Sequence, residues 1–144
     1  MSATTKGHCL CRAIEYEFEG DPVFVSHCHC ESCRRSTSSA FATYVGVKLD
    51  QFRYMKGDPA SYSSSTGVQR YFCGTCGSPM AYLGDKWPGE VHLHAGSLAD
   101  PGAIEPGRHV HTAEQLPWAD VHDDLPRFDK SGRGNKPARK GPKR

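Results

Sequence analysis

Seven cysteines fall into three tight groups along the chain: Cys9-Leu-Cys11, Cys28-His-Cys30-Glu-Ser-Cys33 and Cys73-Gly-Thr-Cys76. Thiolates are soft ligands that suit zinc. A structural zinc takes four Cys or His ligands, whereas a catalytic zinc takes three protein ligands and one exchangeable partner. If the first and last groups meet in space, Cys9, Cys11, Cys73 and Cys76 close one ion. Cys28, Cys30 and Cys33 then hold another, with its fourth corner left to His, Asp, Glu, water or a substrate. The spacing therefore predicts two zinc ions (Zn2+) per chain, one structural and one labile and reactive. An odd number of thiols fits a disulfide framework badly, and clustered cysteines in a reducing compartment are more often metal ligands.

Three thiolates leave a bound zinc with a formal charge of −1, so a water on it is less acidic than on a three-histidine site, and hydroxide is the poorer nucleophile to expect. An incoming thiol instead completes a sulfur tetrahedron and loses its proton on binding, which suits thiol chemistry. His27 and His29 flank the first two sulfurs of the middle group, but strand alternation turns them away, and they are expected not to be ligands. His92 and His94 share a strand face and could line a pocket; the sequence leaves the roles of His109, His111 and His122 open. Arg34 and Arg35 are candidate anchors for a substrate carboxylate. The sequence names no general base, and loss of the thiol proton on coordination would make one unnecessary.

These groups must be carried by strands. Ala13–Phe18 alternates apolar and polar residues, and Val23–His27, Phe41–Val47, Phe52–Tyr54, Gln69–Phe72, Met80–Leu83 and Glu90–His94 are short, β-branched or aromatic runs. Turn clusters such as Gly20-Asp-Pro22, Lys56-Gly-Asp-Pro59 and Asp100-Pro-Gly102 separate them, which predicts an all-β architecture of mainly antiparallel sheets. Cys9 and Cys11 are expected on one strand face, as are Cys28 and Cys30. Glu31–Ser36 is expected to form one helical turn.

With 144 residues, one modest domain is expected, and its 37% hydrophobic content gives a lean core that a metal would help to hold. The first eight residues contain no apolar signal region, and nothing approaches a membrane span, so a cytoplasmic location with no membrane partner is expected. Residues 130–144 hold seven basic side chains and no acid, leaving 11 Lys and Arg against 16 acids in the body. Such a segment cannot bury a core and is expected to be a flexible basic tail, from 129 to 144. No aromatic residue interleaves its charges, so nucleic acid is not expected as a partner.

Taken with their order and spacing, Gly7-His-Cys-Leu-Cys11, Cys28-His-Cys-Glu-Ser-Cys-Arg-Arg35, Ser39-Ala-Phe41, Phe72-Cys-Gly-Thr-Cys-Gly-Ser78, Ala95-Gly-Ser-Leu-Ala-Asp-Pro101 and Trp118 with Asp124-Leu-Pro-Arg-Phe128 make the chain resemble the glutathione-dependent formaldehyde-activating enzyme (CENP-V/GFA) family. The resemblance covers nearly all of a domain at residues 4–128. It implies an Mss4-like fold, a structural zinc on Cys9, Cys11, Cys73 and Cys76, and a second zinc on Cys28, Cys30 and Cys33. It also implies condensation of glutathione with formaldehyde to S-hydroxymethylglutathione, which in reverse is the work of a carbon–sulfur lyase. The small-molecule substrate would be glutathione or another thiol. Two other readings stand beside this one: a zinc-dependent imine-type hydrolase, and a non-catalytic zinc-binding module whose tail contacts a polyanion. Arg12 and Ser38 depart from the family, standing where glycine is usual.

Overall fold

A computed structural model describes residues 3–135 and residue 137. Its strands are β1 (Thr4–His8), β2 (Glu15–Glu19), β3 (Phe24–Cys28), β4 (Ala42–Lys48), β5 (Phe52–Lys56), β6 (Ala60–Ser65), β7 (Val68–Phe72), β8 (Pro79–Gly84), β9 (Glu90–His94) and β10 (Arg108–Val110). One α-helix, α1, spans Glu31–Thr37. The fold is mostly β with antiparallel pairing predominant, in accord with the sequence. Among the described residues no helix is long and apolar enough to cross a membrane.

The chain forms two compact units. The first comprises the described residues up to Phe24 together with Val45–Ile104. It contains the antiparallel sheet β1-β2-β5 and the strand order β4-β9-β8-β7-β6. Its core is the inward face of those strands: Tyr16, Phe18, Val45, Val47, Met80, Val91 and Leu93 are each almost fully buried. The second comprises Val25–Tyr44 and the described residues from Glu105 onward, with the order β10-β3-β4. There β10 runs parallel to β3 and sets His109 opposite His27 and Val110 opposite Cys28.

Three strands escape the sequence pattern, each for a physical reason. β1 is polar apart from Gly7 and is held by pairing with β2, Thr5 opposite Phe18. β6 is mostly exposed Ser with Tyr62, ordered by its register with β7 at the sheet edge. β10 has only three residues, too few to show a period. The helix is longer than the single turn expected.

The basic tail begins within the described residues: the carbonyls of Asp129 and Lys130 accept from the backbone N–H groups of Ala113 and His111 at 3.3 and 3.0 Å. The tail expected from sequence otherwise falls largely on residues 136 and 138–144, outside those described.

Arg12 and Ser38 both adopt left-handed backbone conformations, with φ of 66° and 51°. Ser38 closes α1, its N–H reaching back to the Arg34 carbonyl. An L-residue there crowds its own Cβ against the backbone, which is why glycine favours such helix ends. Ser38→Gly is therefore expected to stabilise the protein by up to ~1 kcal/mol, glycine's greater freedom in the unfolded chain offsetting part of the relief. A urea midpoint that falls for Ser38→Gly would refute this.

Candidate metal centre

Cys9 and Cys11 lie not on a strand, as expected, but on the turn that follows β1, where the Arg12 N–H donates to the Cys9 carbonyl at 3.2 Å. Their approach comes from a tight reversal rather than from alternation. The second pair sits on the turn between β7 and β8. There Gly77 N–H donates to the Cys73 carbonyl at 2.8 Å, and Gly77 takes a φ of 79° that other residues rarely adopt. Leu10 N–H donates to the Ser78 hydroxyl at 3.0 Å, tying the two turns together.

The result is one cluster of four sulfurs, all within 4.8 Å of one another. Cys9 to Cys11 is 3.7 Å and Cys11 to Cys73 is 3.9 Å. A zinc–sulfur bond of about 2.3 Å implies tetrahedron edges of about 3.8 Å, so the sulfurs stand at the spacing that a zinc would set. All seven cysteines are free thiols. Backbone N–H groups already point at sulfur: Ile14 at Cys9 (3.3 Å), Thr75 and Cys76 at Cys73 (3.4 and 3.5 Å). The Ser78 hydroxyl, 3.1 Å from the Cys76 sulfur, leads the interactions that hold that thiol down at about 5. These are the groups that steady thiolates around a cation.

Cys28, Cys30 and Cys33 also come within 4.8 Å of one another. The expected shared strand face is again not what brings them together, because β3 ends at Cys28. Cys30 is the N-cap of α1, its sulfur accepting from the Cys33 N–H at 3.3 Å, and Cys33 sits in the first helical turn. Strand end, cap and helix thus aim three sulfurs at one point. Cys28 and Cys33 are buried and Cys30 is half-buried. The Tyr44 hydroxyl donates to the Cys33 sulfur at 3.3 Å. The neighbouring Cys30 and Cys33 sulfurs, then burial, push the Cys28 thiol far above its ordinary range. Three sulfurs this close, two of them buried, are all thiolates only with a cation among them, and the donor set suits zinc.

Neither His27 nor His29 belongs to this cluster. Both lie instead in an aromatic group with Phe41 and His109, ring centroids 4.7 to 5.1 Å apart for His27–Phe41, His27–His109, His29–Phe41 and His29–His109. His29 Nε2 lies 2.8 Å from His109 Nδ1, and His109 Nε2 lies 3.0 Å from Asp123 Oδ2. Arg127, 1% exposed, donates to Asp123 Oδ1 at 2.9 Å and to the carbonyls of Val121, Asp123 and Leu125. Burial, and then the charge of His109, hold His27 at about 4; burial likewise holds His29 at about 4. Burial alone would raise Asp123, but hydrogen bonds led by His109 keep its carboxyl below the ordinary value. Nothing in the sequence singles out Asp123, and the role of His109 is open there. The Asp124–Phe128 motif was the available signal, but the parallel pairing of β10 with β3 is not visible in it.

His92 is buried and engaged, 2.9 Å from Glu90 and edge-on to Phe24. His122 is an exposed neighbour of Asp120 at 3.7 Å. Arg34 Nε donates to the His29 carbonyl at 3.3 Å, tying its guanidinium to the cysteine segment. Arg35 pairs with Glu31 at 2.7 Å on the exposed helix face.

Comparison with known proteins sets this geometry in context. The family model described as glutathione-dependent formaldehyde-activating enzyme matches residues 4–114. A protein of Schizosaccharomyces pombe named as an uncharacterized lyase is 33% identical over 85 residues, 58% of this chain and 61% of that protein. The aligned part thus spans about three fifths of the relative's length. A structural-genomics crystal structure of a Rhodobacter sphaeroides protein superposes with a TM-score of 0.57 at 25% identity, covering 70% of this chain and 91% of that one.

Proposed function

The chain belongs to the glutathione-dependent formaldehyde-activating enzyme family, and from that premise we propose that it is a zinc-dependent carbon–sulfur lyase acting on a thiol adduct such as S-hydroxymethylglutathione. The observation that carries this reading is the inequality of the two cysteine clusters: four sulfurs close one site, while the other gathers three. The name of the S. pombe relative, a lyase, supports the reaction class.

The net reaction needs no redox change. In the synthetic direction a carbon–sulfur bond forms, the carbonyl π bond opens, and the thiol proton ends on the new hydroxyl; cleavage reverses these steps. Cys9, Cys11, Cys73 and Cys76 would hold the structural zinc, and Cys28, Cys30 and Cys33 the second. When bound, the second ion would supply a soft position for a substrate sulfur and would lower the pKa of that thiol. Around it the protein contributes positioning. Tyr44 donates to Cys33, withdrawing electron density from that sulfur and fixing its orientation. Arg34, held against the His29 carbonyl, is the guanidinium closest in sequence to the cluster and would bind a carboxylate of the thiol substrate.

The test is exchange spectroscopy on glutathione, a panel of other thiols and formaldehyde, with zinc content followed in parallel. Acceleration of adduct formation and breakdown, lost when the second zinc equivalent is removed, is the expected result. Failure to accelerate any thiol adduct with both equivalents bound would overturn the proposal, and zinc-dependent hydrolysis of an imine without thiol would favour the hydrolase reading. Tyr44→Phe tests the positioning directly. Loss of an outer hydrogen bond to a metal ligand costs roughly 10–100-fold in affinity or activity, and turnover at the wild-type rate would remove Tyr44 from the mechanism.

A further inference from the structure

We propose that His27, His109 and Asp123 form a third cation site, separate from both cysteine clusters, for a borderline divalent transition ion such as zinc, iron(II) or cobalt(II). One ligand atom from each lies within 4.8 Å of the other two. His109 Nε2 and Asp123 Oδ2 are 3.0 Å apart, the edge that two adjacent ligands of a six-coordinate ion span when each lies about 2.1 Å from it. The fold supplies the convergence: parallel pairing sets His27 on β3 directly opposite His109 on β10. Arg127 pins the turn that carries Asp123.

The outer partners make this more than a chance cluster. Metal-binding histidines and carboxylates are oriented by a second hydrogen bond on the atom that does not face the ion. Each of the three residues has one. His27 Nδ1 lies 2.7 Å from the Thr43 hydroxyl, His109 Nδ1 lies 2.8 Å from His29 Nε2, and Asp123 Oδ1 accepts from Arg127 at 2.9 Å. His109 is 1% exposed, whereas the Asp123 side chain is 28% exposed and gives an ion a way in. Two imidazoles and one carboxylate select a transition ion over calcium or magnesium, which prefer all-oxygen sites.

Without an ion, Asp123 accepts the His109 Nε2–H, and His109 Nδ1 accepts the His29 Nε2–H. The buried His29 Nδ1 then has no hydrogen-bond partner. Binding an ion turns the His109 Nε2 lone pair to the metal and moves its proton to Nδ1, facing His29. The proton of His29 must then sit on Nδ1. Loading this site therefore changes the tautomer of a residue between two cysteines of the middle cluster.

The full chain, first saturated with two equivalents of zinc, is titrated with further zinc or with cobalt(II) and followed by equilibrium dialysis. A third equivalent is expected, without thiolate-to-cobalt charge-transfer absorption and with an exchange of character between the His29 ring nitrogens in nitrogen NMR. His27→Asn, at a half-buried position, should abolish the third equivalent and retain the first two. Thr43→Val, which keeps a β-branched residue in β4, should weaken it by roughly 10–100-fold. Saturation at two equivalents up to millimolar metal would overturn the proposal. So would a third equivalent that survives His27→Asn, or one that leaves the His29 ring nitrogens unmoved.

Discussion

Serine at Cys73 is expected to leave a chain that no longer folds cooperatively, whereas serine at Cys30 should leave a folded protein lacking one metal equivalent and its thiol-dependent turnover. Cys73 is 1% exposed, and its sulfur receives two backbone N–H groups besides facing Cys11 at 3.9 Å. Structural zinc contributes about 10–16 kcal/mol of apparent binding free energy, all of it coupled to folding. Domains are stable by only about 5–15 kcal/mol, so weakening such a site consumes most of the margin. Cys30 differs because its structural task is the N-cap of α1. Serine is among the favoured caps, so Cys30→Ser keeps the helix start while removing a sulfur. Circular dichroism melts with elemental analysis would separate the two outcomes. Equal unfolding by both variants would show that the division into structural and reactive sites is wrong.

Arg127→Met should destabilise the protein by about 3 kcal/mol, the lower end of the range for breaking a buried ion pair. The guanidinium is almost completely buried and bonds the Asp123 carboxylate and three carbonyls of one turn. Methionine matches much of the volume but leaves those acceptors without their donor, and Asp123 loses its cation. The lower end applies because Asp123 is partly exposed and water can reach it. Arg127→Lys should recover little, since one ammonium cannot span the acceptors that the guanidinium fork reaches. Urea denaturation of both variants is the measurement. A midpoint within experimental error of wild type would show that the turn is held by other means.

The contrast between Cys73 and Arg127 shows how unevenly function is written along the chain. The cysteine spacing announced two thiol clusters that could hold a metal, because few other arrangements need thiols two and three residues apart. The strands were legible where burial selects apolar, β-branched or aromatic residues, as in β2, β4, β8 and β9, each of which carries a run of consecutive buried residues. β6 and β10 were not legible, because pairing partners distant in sequence hold them in place. Local geometry was also misread where a turn or a cap does what a strand was expected to do: Cys9 and Cys11 meet on a turn, and Cys30 caps a helix.

By itself, then, the sequence determined the donor atoms, their grouping into four and three, and the largely antiparallel β character, all of which are local properties of composition and spacing. Only the tertiary structure decided that His27, His29, His109, Asp123 and Arg127 form one connected group. Their association rests on a parallel pairing between strands some 80 residues apart and on an arginine that gains its partners only when the 121–127 turn closes around it. Such contacts leave no period in the sequence, because each is stabilised by a neighbour that the chain supplies only after folding.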